Sequence, residues 1–171
     1  PYETEVRPAI SQWMKETTGM IERGVILICD YGHPRLEYYA RERSRGTLFC
    51  YHRHHKDENP LESPGTKDIS AHVDFTAVAE AALAADWQLL GFTDQHHFLV
   101  GAAEEWLRAV DGKPMDAAQQ RKLRSLQTLL HPESMGTRFH FLAFGKGMPA
   151  EMNLSGFRHA RPTREALGLG E

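Results

Sequence analysis

A chain of 171 residues, 41% hydrophobic and 25% charged, is long enough to bury a core and ordinary for one soluble globular domain. Its formal net charge of −3 gives no basis for non-specific nucleic-acid binding or for attraction to an anionic membrane. No stretch reaches membrane-spanning length and no signal-peptide hydrophobic core lies near Pro1, while a start at Pro1 without Met is expected of a processed or partial chain. Cys29 and Cys50 make neither a disulfide framework nor a CxxC pair, and Cys29, inside an apolar run, reads as an inert core thiol in a reducing compartment.

Taken in order, Pro8 to Met20 carries a loose helical stripe, Ala9, Ile10, Trp13, Met14 and Met20, which ends near Gly19. Val25–Asp30 follows as a short, continuous apolar run, the pattern of a strand covered on both faces. Residues 33–67 are polar and interrupted by Pro34, Pro60 and Pro64, with one apolar patch at Thr47–Tyr51; this reads as an ordered or functional surface loop. A helix capped by Asp74 is expected to run to Ala85, with Phe75, Val78, Ala79, Ala82 and Leu83 on one face. Leu89–Thr93 reads as a second strand, Phe98–Val110 and Ala117–Leu130 as helices, and Phe139–Phe144 as a third strand. From Pro149 the tail is polar and Arg-rich, with little to hold it down. This alternation favours a sheet with helices on its faces.

Chemistry is sought first where the leading strand stops, on Asp30 and Tyr31, because open α/β sheets bind ligands beyond the carboxyl ends of their strands. The plainer role for Asp30 is an Asx-type turn that caps the strand. Asp68, Ser70, His72 and Asp74 alternate with apolar residues, and capping at Asp74 and turn contacts from Asp68 explain much of that pattern. The tract His52-Arg53-His54-His55 and the pair His96-His97 lack companion ligands at metal spacing, so no metal site is assigned.

Three segments, in this order and spacing, resemble the MidA-like family of S-adenosylmethionine-dependent methyltransferases. They are Gly24-Val-Ile-Leu-Ile-Cys-Asp-Tyr-Gly32, Pro64-Gly-Thr-Lys-Asp-Ile-Ser-Ala-His-Val-Asp-Phe75 and Pro132-Glu-Ser-Met-Gly-Thr-Arg-Phe139. Gly46-Thr47-Leu48 with Tyr51 and His54, and Gly91-Phe92-Thr93-Asp94-Gln95, support them. The family includes the mitochondrial complex I assembly arginine methyltransferase. The resemblance implies an α/β fold, the C-terminal half of a Rossmann-like seven-stranded class I methyltransferase sheet. On it, 25–30, 89–93 and 139–144 are the fifth, sixth and reversed seventh strands, the last lying antiparallel between the other two. Residues 1–147 would then be the C-terminal portion of the domain, with a helical insertion at about 97–135 and a polar tail at 148–171.

The resemblance further implies methyl transfer to a protein side chain, arginine by analogy, with Asp30 and Asp68 as catalytic carboxylates. Tyr31, Tyr51, His54, His72, Asp74 and Gln95 would line the substrate side. S-adenosylmethionine is the implied cofactor. This chain, however, carries no Gly-rich loop in the required strand-to-helix context, since Gly145-Lys146-Gly147 and Gly168-Leu169-Gly170 lack it. The cofactor-binding residues are therefore expected in an N-terminal half outside this chain, the isolated chain is not expected to bind the cofactor, and the outer edge of 25–30 is expected to be unpaired. The alternative is a non-catalytic protein-interaction module derived from the same fold. Implied partners are a protein substrate, such as a respiratory complex I subunit or its bacterial equivalent, and a second copy of the chain, with no nucleic acid or membrane. The implied location is the bacterial cytoplasm or, in a eukaryote, the mitochondrial matrix.

Overall fold

In chain order the elements are α1 (Ile10–Thr18), β1 (Gly24–His33), α2 (Arg35–Tyr38), β2 (Phe49–His52), β3 (His55–Asp57), β4 (Asp68–Ser70), β5 (Val73–Asp74), α3 (Phe75–Ala84), β6 (Gln88–Asp94), α4 (Gln95–Val110), α5 (Ala117–Leu130), β7 (Phe139–Lys146) and α6 (Thr163–Ala166). A π turn occupies Pro132–Gly136, and 3-10 turns occupy Arg41–Arg43 and Ser155–Phe157. The computed structural model describes residues 1–170 apart from His54, Glu58, Ala150 and Glu151.

The main sheet has the order β5-β1-β7-β6, and β7 runs antiparallel to both of its neighbours, as expected. Leu142 is the pivot, paired with Ile28 on one side and Phe92 on the other. Leu142, Ala143 and Phe144 are fully buried, and Phe144 meets Trp87 edge to face at 5.4 Å. The indole nitrogen of Trp87 donates to Thr18 Oγ1 (3.1 Å), which donates in turn to the Met14 carbonyl, so the buried polar atoms between α1 and the sheet are satisfied. Each such fully buried large side chain contributes about 1.5–3 kcal/mol by leaving water.

β1 departs from the sequence expectation in three ways. It is not covered on both faces: Ile26 and Ile28 pack on the core, whereas Val25, Leu27 and Tyr31 are exposed, Leu27 at 49%. The reason is that α4 packs over β6 and β7, with Phe98 stacked on Phe141 at 3.9 Å, and not over β1. Cys29 is accordingly exposed and not a core thiol, while Cys50 is the buried one. Nor does β1 stop at Asp30, because Asp30 and Tyr31 pair with His140 and Phe139, and Gly32 and His33 pair with Val73 and Asp74 of β5 in parallel. Gly32 permits that approach, since a Cβ there would collide with the Val73 carbonyl. Beyond these two residues, the outer edge of β1 has no strand partner among the described residues.

Residues 33–67 are not a plain loop. They contain α2, a 3-10 turn and the antiparallel sheet β3-β2-β4, completed by Asp68–Ser70. Its strands are too short and polar to show a period. α4 begins at Gln95, three residues earlier than expected, because Asp94 caps it through the His97 amide (2.9 Å). The Asp116–Gln119 capping box starts α5.

The tail is held down, contrary to the expectation of little to hold it. Leu167 is fully buried in the core, and its carbonyl accepts from Thr76 Oγ1 (2.6 Å). Phe157 lies so close over Gly91 of β6 that any side chain there would collide with its ring. Replacing Leu167 with Ala is expected to cost about 2–5 kcal/mol in urea unfolding, the range for a buried large-to-small change. A cost under ~0.5 kcal/mol would mark the tail as peripheral to the core.

Candidate functional site

Where the end of β1 and the start of β7 meet the small sheet, a cleft of about 480 Å³ opens. Tyr31, His33, Phe49, Tyr51, Ser70 and His72 line it, with Thr47, Lys56, Thr137 and Arg138 at its borders. It lies at the carboxyl end of a sheet strand, where open α/β folds hold their ligands. Tyr31 rests on Phe139 with ring centroids 4.0 Å apart, and the Lys56 ammonium sits 3.2 Å from the centre of the Phe49 ring. The antiparallel register puts Tyr51 opposite both Lys56 and Asp68, and Phe49 opposite Ser70, so these side chains share one face.

One carboxylate assembles the back of this cleft. Glu5 accepts hydrogen bonds from the Thr47 amide (2.9 Å), Thr47 Oγ1 (3.0 Å), the Leu48 amide (2.9 Å) and the Tyr38 hydroxyl (2.8 Å). Thr47 Oγ1 also accepts from the His72 amide (3.0 Å), and Arg7 donates to the His72 carbonyl. Both backbone groups of His72 are thus held by residues remote in sequence. Burial alone would raise the Glu5 pKa, but the hydrogen bonds from Thr47 and Tyr38 outweigh it and hold the carboxyl below its ordinary range.

Three imidazoles form a cluster at the cleft wall, His33 and His72 lining it and His140 behind them. The His33 ring is 5.3 Å from His72 and 6.0 Å from His140. Among the described residues, the buried side-chain nitrogen and oxygen atoms without a hydrogen-bond partner are the Nδ1 atoms of these three histidines. Burial, with Arg43 and the neighbouring imidazoles, pushes His33 down to about 4. Burial, chiefly, lowers His72 and His140 as well. The three rings are therefore neutral at physiological pH, and their Nδ1 atoms are lone-pair acceptors or weak donors without a protein hydrogen-bond partner.

Of the residues singled out from the sequence, Tyr31, Tyr51 and His72 come together in the cleft, and Asp68 is exposed on the face it shares with Tyr51. Asp30 is an exposed mid-strand residue, not a strand end; its Oδ1 accepts from the Tyr31 amide (2.7 Å), and its charge acts on His72. Asp74 is buried outside the cleft, where it caps α3 through the Ala77 amide (3.0 Å) and lies 3.5 Å from the Arg35 Nε. Gln95 is also structural: it is buried and donates to the Leu129 carbonyl (2.8 Å), tying α4 to α5. His54 lies outside the described residues. His52 and His96 bond the carbonyls of Thr66 and Leu130, His97 bonds Asp94, and no group of His, Cys, Asp or Glu among the described residues is arranged to hold a metal. Sequence reasoning missed His33, Phe49 and Arg138 in the cleft and Glu5, Arg7 and Tyr38 behind it. The available signals were the position of His33 directly after Asp30-Tyr31-Gly32, of Arg138 within the motif ending at Phe139, and of Phe49 within the apolar patch Thr47–Tyr51.

Glu5→Gln is expected to destabilise the fold by about 1.5–3 kcal/mol at neutral pH, the range for hydrogen bonds to a charged acceptor. Because the folded pKa is depressed, the Glu5 contribution is present above pH 4.5 and is lost as the pH falls through the folded value. Wild type and variant should therefore converge below pH 4.5, which urea midpoints across pH 3–7 will read.

Comparison with known proteins agrees with this architecture. A family model described as "Putative S-adenosyl-L-methionine-dependent methyltransferase" matches residues 1–93. The chain is 32% identical over 148 residues to the human protein arginine methyltransferase NDUFAF7, mitochondrial, covering 84% of this chain and 30% of that protein. Its Drosophila melanogaster homologue is 32% identical over 134 residues, 76% of this chain and 29% of that protein. A COG1565 superfamily structure from Burkholderia thailandensis superposes with a TM-score of 0.81 at 34% identity, over 96% of this chain and 43% of that one. Another from the same organism, bound to S-adenosyl-homocysteine, gives 0.80 at 32% identity, over 95% of this chain and 41% of that one. The chain thus spans about 30% of the length of the curated relatives it matches. With the model matching more than half of its residues and the fold shared over nearly all of them, this chain belongs to the MidA-like family of S-adenosyl-L-methionine-dependent methyltransferases.

Proposed function

We propose that this chain is the acceptor-side part of an S-adenosylmethionine-dependent protein methyltransferase, acting on an arginine side chain. The observation that carries the proposal is the cleft at the end of β1, walled by Tyr31, Phe49, Tyr51 and His72. Lys56 already covers the Phe49 ring, so the tyrosine faces are those that attract a planar cation, and Asp68, on the face of Tyr51, is exposed and free to take a guanidinium through two parallel hydrogen bonds. Asp30, whose charge reaches His72 of the cleft wall, supplies a second negative charge. The relatives named as arginine methyltransferases support the choice of acceptor. By the same resemblance the acceptor protein is a complex I subunit or its bacterial equivalent, met in the mitochondrial matrix of a eukaryote or in a bacterial cytoplasm.

The residues of this chain do not fit the cofactor itself. Among the described residues, no carboxylate is part of the cleft lining to take ribose hydroxyls. The glycine pair at the end of β7, Gly145 and Gly147, leads into no helix among the described residues, and the acid that ends β6, Asp94, is used to cap α4. We therefore assign the adenosyl site to a preceding segment, which would complete a seven-stranded sheet along the open edge of β1 and cover Val25 and Leu27. Residues 1–147 are then the C-terminal portion of the domain, with residues 148–171 folded back against it.

Calorimetric titration of the 171-residue chain with S-adenosylmethionine is expected to show no saturable binding below ~1 mM. Micromolar binding would put the adenosyl site within this chain. In the complete enzyme, Asp30→Asn keeps the size and the bond to Tyr31 but removes the charge. Turnover on an arginine peptide is expected to fall at least about tenfold, with cofactor affinity and melting temperature nearly constant. Unchanged turnover would leave Asp30 with its strand-edge hydrogen bond alone.

A further inference from the structure

Methylation of a guanidinium nitrogen gives a methylguanidinium of the same charge, so one N–H proton must leave the acceptor. We propose that His33 receives this proton and that Glu37 passes it to solvent. The inference rests on the acceptor-site reading above and assigns a role to two residues outside it.

Geometry singles out His33 from the cluster of imidazoles. His33 lines the cleft, as His72 does, whereas His140 lies behind it. Its side chain is only 17% exposed, and its Nδ1 has no hydrogen-bond partner, an uncommon state for a buried nitrogen. The same Nδ1 is 3.5 Å from Glu37 Oε2, too far for a hydrogen bond but placed for an ion pair once the ring is charged. Glu37 sits in the first turn of α2, four residues on, with its side chain 64% exposed to water. A route therefore runs from the cleft through one imidazole to an exposed carboxylate. His72 has no such carboxylate among its described ion pairs, and its backbone is fixed by Thr47 and Arg7.

The groups that face His33 are Glu37 from α2, Arg43 from the following 3-10 turn, His72 from the segment before β5 and His140 from β7. Burial, Arg43 and the two imidazoles all disfavour the charged ring and keep it near 4, so at neutral pH the ring is unprotonated and a nitrogen lone pair is free to accept a proton. In the step, the acceptor N–H bond breaks and its electron pair stays on the acceptor nitrogen. An N–H bond forms on the imidazole. The imidazolium is a strong acid in this setting and gives its proton through Glu37 to water, which restores the neutral ring.

The test uses the complete enzyme and a peptide with one arginine. His33→Ala is expected to lower turnover about 100-fold, the lower range for loss of a general base, with the KM for the peptide changed less than threefold. Added imidazole should restore turnover saturably, which the loss of a purely structural side chain would not allow. Glu37→Gln should lower turnover less and, by removing the nearby negative charge, move the His33 titration further below the wild-type midpoint, read by NMR at the ring Cε1–H. A His33→Ala enzyme as active as wild type, or one that is folded, impaired and insensitive to imidazole, overturns the assignment while the acceptor reading stands. A wild-type enzyme without turnover on any arginine peptide overturns both.

Discussion

The insertion of β7 between β1 and β6 is the constraint on which the rest of the molecule depends. β6 has no other strand partner among the described residues, and β1 is paired along eight of its residues by β7 alone. The buried run Phe141–Phe144 places apolar side chains on both faces of the sheet at once: Phe141 under α4, Leu142 and Phe144 in the core with α1, α3 and Trp87. Because β7 runs opposite to β1, its first residues lie beside the last residues of β1. That reversal brings Phe139 under Tyr31 and His140 near His33, and it puts the π turn and Arg138 at the rim of the cleft.

A cleft built this way needs its second wall fixed from elsewhere. The small sheet β3-β2-β4 is too short and too polar to fold by its own burial, so its position relies on buried hydrogen bonds. Glu5 supplies them, joining the N-terminal segment to Thr47 and, through Thr47 Oγ1, to His72. A carboxylate that accepts several N–H and O–H bonds stays ionised in a partly buried place, and its removal leaves several donors without partners at once. The cluster of neutral histidines shows the opposite balance. There burial wins, the charged forms are disfavoured, and the site keeps basic nitrogens in reserve without fixed charge.

The outer side of β1 carries a different kind of unfinished surface. An edge with free backbone groups, next to exposed Val25 and Leu27, is a template for another strand, and isolated proteins ordinarily blunt such edges with charge, proline or bulges. Here Val25 and Leu27 are exposed beside the edge, and its pairing with β5 is only two residues long. The same strand thus has one end that forms the cleft and a flank that, before Gly32, has no strand partner among the described residues.

Local chemistry determined the elements that the sequence names by itself. Continuous apolar runs marked β1, β6 and β7; a side-chain oxygen ahead of an apolar stripe marked α3 at Asp74; and proline and glycine marked where helices stop. The ordered family motifs carried the reversed place of β7 and the grouping of Tyr31, Tyr51 and His72. What tertiary structure alone decided are quantities that depend on partners far along the chain. Whether Cys29 is buried depends on where α4 ends its cover, not on the residues around it. The tie from Gln95 to α5, the anchoring of Leu167 by Thr76 and the gathering of four hydrogen-bond donors on Glu5 join positions up to 91 residues apart. Periodicity cannot report such bonds, because they arise only when the sheet has closed and the polar groups left inside it must find one another.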